Sequence, residues 1–86
     1  MEMEIGRVTH YFTKLGVAVV QIDKEHLDVG DTIHIKGHTT DLTQKVHSMQ
    51  VEHLEVETAK AGEAIGLKVE EHVREHDQVY KVSEAD

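Results

Sequence analysis

A chain of 86 residues has room for one domain, and 38% hydrophobic against 30% charged residues places it among globular sequences. Seventeen Asp and Glu against nine Lys and Arg give a formal charge of −8, a field that repels phosphate backbones. The absence of cysteine excludes a disulfide framework, thiolate zinc sites and thiol catalysis, and no apolar run is long enough for a membrane span or a signal peptide. A cytoplasmic domain is expected.

Apolar residues recur with a period near two, the mark of strands. Residues 5–12 carry Val8, Thr9, Tyr11 and Phe12, all suited to a pleated and half-buried surface. After a turn, residues 17–22 are apolar on both faces, as in a strand covered on each side. Residues 27–31 form a turn around Gly30. Residues 32–37 then alternate, with Ile33 and Ile35 on one face and Thr32, His34 and Lys36 on the other.

A polar turn leads to residues 43–51, predicted as the second arm of a hairpin, with Val46, Met49 and Val51 inward. The spacing of three between Val46 and Met49 predicts a bulge near His47 and Ser48. Residues 59–63 form a further turn, and residues 64–69 and 78–82 alternate again. The expected fold is all-β: a small closed antiparallel barrel of about six or seven strands over residues 1–82. Residues 83–86 are expected to fray.

Four stretches carry a family resemblance. Residues 27–31 (LDVGD), 33–37 (IHIKG), 44–49 (QKVHSM) and 61–67 (AGEAIGL) resemble the second domain of the translational GTPases, which include elongation factor Tu and initiation factor two. Residues 75–79 are similar to that family's R-G-x-V approach to its last strand, with His76 where glycine is usual. The chain is also similar to the C-terminal barrel of collagenase-like peptidases. The first resemblance implies a stand-alone elongation-factor-like barrel, and it places that domain's site for the aminoacylated end of transfer RNA at residues 49–53. Gln50 falls at the family's glutamate position and His53 at or beside its arginine, so neither charge is present. His47, Gln50 and His53 are the expected partner-contacting residues. No phosphate loop is present, so no nucleotide and no GTPase activity are expected.

Residues 72–76 match the H-x-x-E-H pattern of inverted zinc peptidases, which needs a helix; the strand-rich surroundings make a polar loop the expected form. Eight histidines are many for this length, and His34 and His47, outward on the two hairpin arms, are the candidate metal pair, expected to bind metal adventitiously. Of the neighbours Tyr11 and Phe12 only one can face the core, leaving the other as an exposed aromatic. The lysines are dispersed, and Glu52, Glu55 and Glu57 read as a solvated edge. No nucleophile–base pair stands out. The expectation is a non-enzymatic interaction module without cofactor, taking a protein partner in preference to RNA. The alternative is a histidine-rich protein that responds to metal or pH.

Overall fold

The computed structural model describes residues 1–83, and every helix or strand element among them is a β-strand. No helix among these residues is long and apolar enough to cross a membrane. The strands are β1 (Glu2–Phe12), β2 (Val17–Ile22), β3 (His26–Asp28), β4 (Thr32–Lys36) and β5 (Asp41–Lys45). They are followed by β6 (Met49–Val51), β7 (Leu54–Val56), β8 (Thr58–Lys60), β9 (Ala64–Lys68) and β10 (Gln78–Val82). All the ladders are antiparallel, as expected. The main sheet has the order β5-β4-β10-β1-β2-β9-β6-β7, and β3 pairs with β8.

β1 is longer than the period-two pattern suggested. Its first residues alternate poorly but pair with β10, Glu2 opposite Val82 and Glu4 opposite Tyr80. Two bulges interrupt it, one between Glu4 and Gly6 against β10 and one between Val8 and His10 against β2. Each bulge inserts a residue, so Ile5, Val8 and Tyr11 all turn inward at a spacing of three. Gly6 sits at the first bend. A Cβ there would overlap the Gln21 carbonyl oxygen, so only glycine lets β1 and β2 approach this closely.

The predicted strand over residues 43–51 is two strands. Val46 is 1% exposed, and the Asp28–Thr32 turn takes both its backbone groups. Its N–H donates to the Asp31 carbonyl at 2.8 Å, and its carbonyl accepts from Gly30 N–H at 2.9 Å. With its ladder groups used elsewhere, the chain leaves β4 after Lys45 and crosses to pair with β9 from Met49. The three-residue spacing therefore marks a crossover and not a bulge. Beyond it, β6, β7 and β8 are three-residue strands too short for sequence alternation to show. This is why ten segments stand where six or seven were expected.

The sheet order is linear, with β5 and β7 at its ends, and no ladder among the described residues joins them. Backbone pairing thus does not close the sheet as expected. A side chain spans the gap instead. Gln44 on β5 faces inward, 5% exposed; its Nε2 donates to the Lys68 carbonyl at 3.0 Å and its Oε1 accepts from Glu70 N–H at 2.7 Å. The amide copies one rung of a ladder between β5 and the end of β9.

Residues 70–77 form a loop with no helix, so the H-x-x-E-H pattern has no metal-binding face. His72 lies against the Tyr11 ring at 4.6 Å, and His76 has φ of 78°, the left-handed conformation for which glycine is the usual residue. At Ser83, the first residue of the tail expected to fray, the N–H donates to the Met1 carbonyl at 2.7 Å. The rest of that tail lies outside the described residues.

On the outer face, His34 joins three strands. Its Nδ1 lies 2.9 Å from Glu2 Oε2 on β1, and its Nε2 lies 2.6 Å from Asp41 Oδ1 on β5. The imidazole side chain is 13% exposed. A ring with a carboxylate on each nitrogen can donate twice only when protonated. The Glu2 hydrogen bond, then that of Asp41, therefore raises its pKa, against a smaller opposing effect of burial.

Two outcomes are expected. Gln44→Leu leaves the Lys68 carbonyl and the Glu70 N–H without their amide partner, and urea unfolding should show a loss of about 2–3 kcal/mol. For His34, the folded-state pKa is raised, so its stabilisation is fully present below the unfolded value of about 6.5 and is lost as pH rises through the folded one. An NMR titration of the His34 ring should give a midpoint above the ordinary value, and Glu2→Gln should lower it. The stability difference between the two proteins should shrink as pH rises through that midpoint.

Candidate functional site

β2 is the strand that the sequence marked as apolar on both faces. Its inner side, Ala18, Val20 and Ile22, is fully buried in the core. Its outer side, Val17, Val19 and Gln21, is only half-buried. The register shows what surrounds it. Val19 lies opposite His10 on one side and Gly66 on the other, Gly66 lies opposite Gln50, and Gln50 opposite Glu55. One outward row thus runs His10–Val19–Gly66–Gln50–Glu55 across five strands.

Gly66 leaves a gap in that row. A Cβ there would meet Val17 Cγ1 at 3.6 Å and the Gln50 carbonyl oxygen at 4.0 Å, both ordinary contacts, so the space exists and none of the described residues fills it. The result is a groove of about 460 Å³, floored by Val17, Val19, Ala64 and Gly66. A second hollow of about 340 Å³ continues it past Leu15, Ser48 and Lys68.

Two turns form its walls. On one side Phe12 and Leu15 stand 44% and 61% exposed on the β1–β2 turn. This turn is braced: the Phe12 carbonyl accepts from Gly16 N–H at 2.9 Å, Lys68 Nζ donates to the Leu15 carbonyl at 2.9 Å, and the Phe12 ring meets the His10 ring edge-on at 4.5 Å. On the other side stands the two-residue turn of the β6–β7 hairpin, Glu52 and His53, with φ of 52° and 70°. Two left-handed residues in succession make a type I′ turn, for which Asn-Gly is the usual sequence. Glu52 and His53 hold this conformation at a cost in backbone energy and carry their side chains to the groove wall.

Of the three expected partner-contacting residues, Gln50 and His53 line this groove and His47 does not. His47 instead pairs with Glu70, Nε2 to Oε2 at 3.0 Å, beside a separate hollow lined by Val29, Met49 and Val56. Nor does the candidate metal pair meet. The residue opposite His34 on β5 is Thr43, His47 lies beyond the end of that strand, and both histidines are engaged with carboxylates. Glu2 and Asp41 sit on opposite nitrogens of His34, so that trio cannot converge on one ion. Among the described residues no group of three or more His, Asp or Glu is arranged to hold a metal. Of the aromatic neighbours, Phe12 is the exposed one and Tyr11 packs on the core. Val17, Val19 and Gly66 are site residues that the sequence patterning did not single out, although the two-sided apolar run 17–22 was the signal for the two valines.

No family model matches the chain. It is 44% identical over 84 residues to an uncharacterized protease of Methanocaldococcus jannaschii, covering 96% of this chain and 20% of that protein. It is 40% identical over 78 residues to a collagenase of Porphyromonas gingivalis, covering 90% of this chain and 22% of the collagenase. The chain therefore spans about a fifth of the length of the curated relatives it matches. Among solved structures, the C-terminal domain of a Geobacillus thermoleovorans protein described as a U32 peptidase superposes with a TM-score of 0.85 at 23% identity, covering 93% of this chain and 92% of that one. Its selenomethionine variant gives 0.83 at 22% identity, covering 90% and 96%. At that identity the likeness establishes the fold. These matches overturn the translation-factor resemblance and the elongation-factor-like function drawn from it. The four motifs behind it are short turns, strand ends and a crossover that a small β-domain of this shape needs whatever it does, whereas the identity to the protease runs along 84 residues and that to the collagenase along 78.

Proposed function

We propose that the chain is the accessory β-domain of a collagenase-like peptidase, without catalytic activity of its own and working beside a catalytic portion that lies outside it. The observation that carries this reading is the disparity in coverage. The likeness takes in 96% of this chain but 20% of the M. jannaschii protease, so it is a likeness to one module of a larger protein. The solved C-terminal domain that superposes along nearly its whole length supports the same division. The side chains favour a non-catalytic role. The chain has no cysteine, and its histidines within reach of carboxylates sit in exposed pairs or, for His34, in a strand-joining contact. The same reading takes the curled sheet as a barrel, its seam bridged by the Gln44 amide.

The test is a chimera. This chain replaces the matching 78 residues of the P. gingivalis collagenase, beside a version in which those residues are deleted. Gelatin hydrolysis is expected to be lost or much reduced on deletion and restored in the chimera, while the isolated chain hydrolyses neither gelatin nor casein. Hydrolysis by the isolated chain that co-elutes with it and vanishes on unfolding would overturn the reading, as would a deletion version as active as the parent.

A further inference from the structure

We infer that the groove over Gly66 is a docking site for an extended peptide segment that presents an aromatic side chain flanked by lysine or arginine. The inference goes beyond the accessory-domain reading and does not depend on it.

Shape comes first. The groove exists because Gly66 lacks a side chain between Val19 and Gln50, which leaves a slot with an apolar floor. Phe12 and Leu15 wall it on one side and His53 on the other, so a flat ring entering the slot meets apolar and ring surfaces. Gln50 at the edge supplies an amide able both to donate to and to accept from a peptide backbone. The walls are held in place by the Lys68–Leu15 bond, the His10–Phe12 contact and the tight hairpin turn, so little ordering remains to be done on binding.

Charge selects the occupant. Glu52 lines the groove, and Glu55 ends the outward row that crosses it. The one lysine lining the adjoining hollow, Lys68, has its ammonium on the Leu15 carbonyl. The chain as a whole carries −8. A second copy would bring the same negative field against this face, and a nucleic acid would bring phosphates. A cationic segment is attracted, and its basic residues fall beside the acids of the hairpin.

The test titrates the intact chain, observed by amide NMR, with the capped peptide Gly-Lys-Phe-Lys-Gly. The expected result is saturable, concerted shifts at Val17, Val19, Gln50 and Gly66. Gly-Glu-Phe-Glu-Gly should bind about fivefold more weakly, the size of one or two exposed ion pairs, and Gly-Lys-Ala-Lys-Gly should give no saturable shift. Gly66→Val should fill the slot and abolish binding. Glu52→Asn provides a variant whose fold is not at risk, because asparagine suits the left-handed turn; it should weaken binding about threefold. Absence of saturable shifts with any peptide would overturn the inference. So would equal binding of the acidic peptide, undiminished binding by folded Gly66→Val, or shifts at the same amides from protein concentration alone or from a single-stranded RNA.

Discussion

The fold depends on a seam that the backbone does not close by itself. Eight strands hydrogen-bond in a linear order, leaving β5 at one end with inward-facing residues that must be covered. Gln44 resolves this by lending its side-chain amide as a rung between β5 and the end of β9. A fully inward polar group is tolerated because its donor and its acceptor are both used. It holds the β4–β5 hairpin against the end of β9, in the other half of the sheet. The Val46 backbone, fixed to Gly30 and Asp31, secures the same hairpin from the turn side.

Once that seam is held, the inner faces share one core and the outer faces diverge. Around His34 the outer face is polar and joined by charge, with Glu2 and Asp41 drawing β1, β4 and β5 together. Around Gly66 it is apolar, open and ringed by turns. The two regions put the same chemical economy to different ends. In the first, a largely covered imidazole is matched on both nitrogens by more exposed carboxylates. In the second, Val17 and Val19 remain half-exposed, with no neighbour among the described residues to cover them.

How far the sequence revealed this depended on the length and regularity of each element. β2 and β10 were legible residue for residue, β2 as a six-residue run apolar on both faces and β10 by alternation. The β4–β5 hairpin was legible as two arms but not in register, since His34 faces Thr43. β6, β7 and β8 were not, since three residues are too few to show a period. The Val46–Met49 spacing reads as a bulge in the sequence and is a crossover in the structure. A bulge and a crossover leave the same sequence trace, and only the partners of Val46 separate them. Of the site, Gln50, His53 and an exposed aromatic were visible. The gap at Gly66 was not, because a glycine in a strand reads equally as a bend, a close approach or an empty place. Of the two resemblances, the translation-factor one went astray for a related reason: short motifs report the architecture, and different families can share one architecture.

The first and last described residues lie side by side, the Met1 ammonium donating to the Ser83 carbonyl at 3.1 Å while Ser83 N–H donates to the Met1 carbonyl. Any flanking polypeptide therefore leaves the domain at a single pole. Phe12, the aromatic wall of the groove, stands at the far end of the eleven-residue β1 that begins at that pole. A strand of this length spans roughly 30 Å. In a larger protein such a domain would be attached at that pole, with the groove over Gly66 near the end remote from the attachment.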